Sequence, residues 1–163
     1  MTELDSVVKQ SLLEFADDVF RTNWFGKERE AVSLYAFGYL LKQCRPASVL
    51  YDPRQIGIEV RVQRPPTKGT KAEVCKDLVI WPEPSMTRWF PSGNGANTPI
   101  AVLEWKADVQ QLAANDIAWL RTFTGHNPGC TGYAVSLDLK ARQFRLLCAR
   151  VRADEIDEQW LAL

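Results

Sequence analysis

The 163-residue sequence predicts an α/β domain with a mixed central sheet flanked by helices, and three observations carry that prediction. Two helical stripes open the chain. A block of three strand-like runs follows, and a further helical stripe then separates that block from two more strand-like runs. The length suits one domain, 1–163, with enough material to bury a hydrophobic core.

In the first stripe Val8, Leu12, Phe15 and Val19 recur at helical spacing, widened by Leu13, Ala16 and Phe20, which predicts an amphipathic helix over 5–20. Thr22 to Gly26 interrupts it. A second helix is expected from about Lys27 to Cys44, with Leu34, Phe37 and Leu41 facing inward, ending before Arg45-Pro46. Ile56, Ile58, Val60 and Val62 then alternate with Gly57, Glu59, Arg61 and Gln63, the pattern of a half-buried strand. Pro65 to Thr70 is turn chemistry, and Val74 to Trp81 is an apolar run broken by Lys76 and Asp77, expected of a strand covered on both faces. Prolines and glycines between Pro82 and Pro99 describe a long loop. Ile100 to Lys106 is a third strand. Val109, Leu112, Ala113, Ile117 and Leu120 mark a helix closed by Gly125 to Gly129, Thr131 to Leu137 and Phe144 to Val151 are strands, and Asp154 to Leu161 is expected to be a short C-terminal helix.

Apolar residues make up 46% and charged residues 25%, ordinary globular usage that excludes disordered, collagen-like and disulfide-scaffold classes. No apolar stretch approaches the ~20 residues that span a bilayer, and MTELDSVVKQ is unlike a signal peptide, so a soluble, cytoplasmic protein with no membrane partner is expected. Net charge is zero, without the global basic excess of a nucleic-acid binder. A local strip, Arg61, Arg64, Lys68 and Lys71, nevertheless carries no acid and could touch phosphates, or simply form a solvated hairpin tip. Trp81, Trp89 and Phe90 could stack on bases, but packing into the core or anchoring the loop is the better reading. Cys44, Cys75, Cys130 and Cys148 lack ligand spacing and read as reduced structural thiols, Cys75 and Cys148 within apolar runs. With His126 as the only histidine, a zinc site is not expected.

The chemistry lies in acids placed where burial makes them costly. Asp77 interrupts the second strand, and Glu104 and Lys106 end the third on a shared face. If those strands pair, Asp77 comes beside them. Glu30 falls on the stripe of Leu34, Phe37 and Leu41, whereas Glu28 falls off it. Converging carboxylates repel one another but form a hard-oxygen cage for Mg²⁺ or Mn²⁺, which can activate water against a phosphodiester, and a lysine beside them can hold that water and neutralise developing charge. Asp138-Leu139-Lys140 repeats the acid-x-lysine spacing but runs into a turn with no comparable acid on a strand just upstream, so it reads as solvated turn residues.

Asp77, twenty-six intervening residues and Glu104-Trp105-Lys106, with Glu30 on a preceding helix, resemble the PD-(D/E)XK nuclease superfamily. The order helix, three strands, helix, strand is similar to that family's restriction-endonuclease-like αβββαβ core over roughly 27–138, here with extra N-terminal and C-terminal helices, and Gly26 to Glu30 before an apolar helix resembles its Holliday-junction-resolvase branch. The resemblance implies Asp77 and Glu104 as metal ligands, the main-chain carbonyl of Trp105 as a further ligand, Lys106 as water-positioning base, Glu30 as accessory acid, and nucleic acid, DNA ahead of RNA, as substrate. Dimers are frequent in the family, which leaves a homodimer open. The chain departs from the pattern in carrying Lys76 where the family has proline, and in lacking a tyrosine four residues after Gln110 or Gln111. The alternative is a non-catalytic module that keeps the scaffold to bind nucleic acid or protein.

Overall fold

The computed structural model describes residues 1–65, 72–90, 97–140, 144–153 and 155–163. These residues form an α/β structure of three α-helices and one six-stranded mixed sheet. The helices are α1 (Glu3–Thr22), α2 (Glu28–Tyr35) and α3 (Ala114–His126). The strands are β1 (Ile56–Gln63), β2 (Glu73–Ile80), β3 (Ala101–Ala107), β4 (Thr131–Asp138), β5 (Arg145–Arg152) and β6 (Glu155–Ala162), and they lie side by side in chain order. β3 and β4 pair in parallel, connected across α3, and the other neighbours are antiparallel.

α1 starts at a reciprocal cap, in which Thr2 Oγ1 accepts from the Asp5 amide and Asp5 Oδ2 accepts from the Thr2 amide, and it stops where Asn23 turns left-handed at φ 52°. α1 and α2 bury Val8, Leu12, Phe15, Val32 and Tyr35 with Leu78, Leu103, Trp105 and Tyr133 on one side of the sheet. α3 covers the other side, where Leu120 and Phe123 meet Val62, Val79, Val102, Ala134 and Val151. Gly132 on β4 allows that helix to come close: a Cβ there would lie 2.9 Å from Leu120 Cδ2 and 3.0 Å from its Cβ.

Four expectations are corrected. The C-terminal segment is not a helix but strand β6. Ile156, Trp160 and Leu161 are spaced as on a helix, yet the open edge of β5 offers main-chain partners, and satisfying that edge outweighs the local pattern. The third helix begins at Ala114 rather than near Val109.

The second helix is rotated from the expected stripe. Ala31, Val32, Tyr35, Ala36, Tyr39 and Leu40 are buried, while Phe37 is 65% exposed. Its continuation passes through a π turn at Ala36–Leu40 and a 3₁₀ turn at Leu41–Gln43.

The fourth correction concerns the β1–β2 hairpin, which does not keep one apolar face. Ile56 and Ile58 pack with the core under α1 and α2, but Val60 and Val62 pack with the core under α3. The crossing occurs at Glu59, whose φ is 50°, and at the facing Asp77: the ladder pairs Ile58 with Leu78 and Val60 with Lys76 but skips the pair between them. Beyond the crossing, Val74 joins the α3 side and takes Lys76 with it, while Cys75 turns outward and is exposed rather than packed.

Candidate functional site

The site lies where β2 and β3 part. Only Leu78, Val79 and Ile80 pair with Leu103, Val102 and Ala101. Past Leu103 the Trp105 amide has no main-chain partner on β2, and the Asp77 carboxylate fills the opening, with Oδ2 accepting from Trp105 N at 2.7 Å. Asp77 is therefore beside Glu104 and Lys106, as the sequence predicts. The Trp105 ring, fully buried, packs against Phe15 and Tyr35 with centroids 5.6 and 5.0 Å apart and fixes the strand that carries its two neighbours.

Glu104 is 5% exposed and points toward α3. The Lys76 ammonium donates to its Oε1 and sits over the Trp119 ring, 3.5 Å from the centroid. Burial pushes the Glu104 carboxyl up; the Lys76 charge and hydrogen bond pull it back; and the Asp77 and Asp116 charges push it up again, leaving it at about 7.

Lys106 ends β3 between the first turns of α2 and α3. Its Nζ donates to the Trp105 carbonyl at 2.7 Å, lies 3.4 Å from Glu28 Oε1 and 3.9 Å from Asp116 Oδ2. Burial lowers its pKa, but Asp116, Glu28 and Asp77 together raise it above the ordinary lysine value. Lys106 thus keeps the charge of an ammonium, which can orient and neutralise an anion beside it. Burial raises the Asp116 carboxyl, against the charges of Lys106 and Lys76.

Glu30 is outside this group. It is exposed and caps its own helix, its Oε2 accepting from Lys27 N at 2.7 Å. Glu28 takes the inward place because the buried stripe runs through Ala31, Val32 and Tyr35, three, four and seven residues after it. That stripe is denser in apolar residues than the Leu34, Phe37, Leu41 stripe, a signal legible in the sequence. Asp116 and Lys76 are further site residues that sequence reasoning missed. Placing the third helix too early hid Asp116, and strict alternation hid Lys76.

A cavity of about 510 Å³ opens beside the cluster, lined by Glu28, Arg29, Ser33, Glu59, Cys75 and Asp77 among others. A groove of about 1570 Å³ runs between α3 and β6 and holds none of the converging acids. Of the basic strip, Arg61 is exposed and 3.5 Å from Glu73, Arg64 is half-buried, and Lys68 and Lys71 lie outside the described residues. Trp81 is in the core, whereas Trp89 and Phe90 are 52% and 44% exposed.

The chemistry of the donor set bears on a divalent cation in two ways. Asp77, Glu104 and the Trp105 carbonyl are hard oxygens of the kind Mg²⁺ takes when waters and phosphate complete its shell, and a positive charge already sits against Glu104. That charge belongs to Lys76, and among the described residues no group of three or more histidine, cysteine, aspartate or glutamate side chains is arranged to hold a metal ion. The donors fit the cation chemically once Lys76 yields its place. Among the described residues, no helix is long and apolar enough to cross a membrane. No family model, curated protein or solved structure matches the chain.

Proposed function

We propose that the protein is a metal-dependent nuclease of restriction-endonuclease-like fold that hydrolyses phosphodiester bonds of nucleic acid, with DNA as the substrate. The observation that carries this reading is the meeting of Asp77 with Glu104 and Lys106 at the parting of β2 and β3, where the Asp77 carboxylate holds the Trp105 amide. Asp77, Glu104 and the Trp105 carbonyl would hold Mg²⁺ or Mn²⁺, which when bound lowers the pKa of water and offsets charge developing on phosphorus.

The chain's own residues do the rest. Lys106, kept protonated by Glu28, Asp116 and Asp77, donates to the attacking water and to the phosphate oxygens. Glu28 and Asp116, within 3.4 and 3.9 Å of Lys106 Nζ, are the carboxylates placed to take the water's proton as its oxygen bonds to phosphorus and the ester P–O bond breaks, the departing alkoxide taking a proton from solvent water. Trp105 holds β3 rigid so that Glu104 and Lys106 keep their separation.

One observation favours a second reading, a non-catalytic module that binds nucleic acid or protein: Lys76 neutralises Glu104 without any metal. Cleavage of plasmid and synthetic branched DNA separates the two. The nuclease reading expects nicking with Mg²⁺, none with EDTA, and loss of at least a hundredfold in rate for Asp77→Ala and Lys106→Ala variants whose circular dichroism is unchanged. Binding with no metal-dependent turnover on any of these substrates would establish the module instead.

A further inference from the structure

We propose that Lys76 is a resident counter-ion that competes with the divalent cation for Glu104, and so sets the cation concentration at which the site loads. The inference rests on the nuclease reading and concerns its regulation. It begins from the crossing at Glu59 and Asp77, which turns Lys76 onto the α3 side of the sheet; uninterrupted alternation with Leu78 and Ile80 would have put it on the side of α1 and α2.

There the Lys76 and Glu104 side chains are 8% and 6% exposed. The ammonium supplies the one hydrogen bond Glu104 receives among the described residues. Two positive charges held against one carboxylate in so dry a place repel strongly, so a cation that takes Glu104 expels the ammonium. The route out is short and already lined. Trp119 lies under the ammonium, four methylenes give the side chain freedom to swing, and Asp116, whose carboxyl already feels the Lys76 charge, can receive it. The cost of that displacement is subtracted from the cation's intrinsic affinity, just as an unfavourable conformational equilibrium would be.

The test is calorimetric Mn²⁺ titration of the full chain at pH 8, comparing wild type with Lys76→Met, which keeps length and packing but removes the charge, and with Glu104→Gln. Lys76→Met is expected to bind at least tenfold more tightly than wild type, and Glu104→Gln not at all. In parallel, Mg²⁺ should change the wild-type tryptophan fluorescence as the ammonium leaves the indole. That change should vanish in Trp119→Phe, a readout that needs neither turnover nor a stable Lys76 variant. Equal affinities for wild type and Lys76→Met, or a fluorescence signal indifferent to Trp119, overturn the counter-ion role and leave the nuclease reading standing. Absence of binding in wild type and Lys76→Met alike overturns the cation site itself.

Discussion

Asp5 and Glu104 are both sealed from solvent, at 0% and 5% exposure, yet their surroundings could hardly be less alike. Asp5 lies under the start of α1 and receives hydrogen bonds from the Thr2 amide, Tyr133 Oη, Arg150 and Arg152, at 2.9, 2.8, 3.3 and 2.9 Å. Burial pushes its carboxyl up, but the Thr2 amide, the Tyr133 hydroxyl and the Arg152 charge outweigh that and leave it below the usual aspartate value. Glu104 has one ammonium and two neighbouring carboxylates, and stands near 7. A buried acid with its donors supplied is a structural fixture joining helix to sheet. A buried acid short of positive charge keeps its proton longer, and on the proposed reading it is the acid that would give way to a cation.

The comparison breaks first at Asp5. Asp5→Ala should cost about 3 kcal/mol of unfolding free energy by urea denaturation, because it takes the buried carboxylate from the Tyr133 hydroxyl and from both arginines, leaving Arg150 with Glu155 and Arg152 with the Thr2 and Thr131 hydroxyls. Whatever metal-dependent activity the folded fraction has should be unchanged.

Glu104→Gln should cost less, and its effect should depend on pH in the opposite sense to that of Asp5. The folded protein keeps the Glu104 proton between the ordinary value of 4.5 and about 7, where the unfolded chain has released it, so this residue's contribution to stability falls as pH rises through that window. For Asp5, with a lowered pKa, the contribution is present above the ordinary value of 3.8 and is lost as pH falls below it. The gap between wild type and Glu104→Gln should therefore move in favour of the variant by at most about 3 kcal/mol from pH 5 to pH 8. Urea titrations at a series of pH values check this, and a gap that stays flat would mean that Glu104 is as well satisfied as Asp5.

The same contrast explains what could be read in advance. The strands β1 to β5, the presence of helices ahead of β1 and between β3 and β4, and the approach of Asp77 to Glu104 and Lys106 were legible, because apolar periodicity and the cost of a strand-borne acid are local signals. Residues whose places depend on tertiary events were not. Glu28 is the exception, because the dense apolar stripe of Ala31, Val32 and Tyr35 that carries it inward in place of Glu30 was there to be read. Lys76 reached Glu104 through a left-handed residue in a strand that reads as regular. β6 formed because a neighbouring edge needed a partner, which no window of the C-terminal sequence records.

The most direct measurement is the pH titration of the Glu104 carboxyl by ¹³C NMR in protein labelled at glutamate side chains, assigned with Glu104→Gln and run without and with saturating Mg²⁺. The account predicts a midpoint near 7 without the ion and a fall of two units or more with it. A midpoint in the ordinary glutamate range, or one near 7 that Mg²⁺ leaves in place, would contradict it.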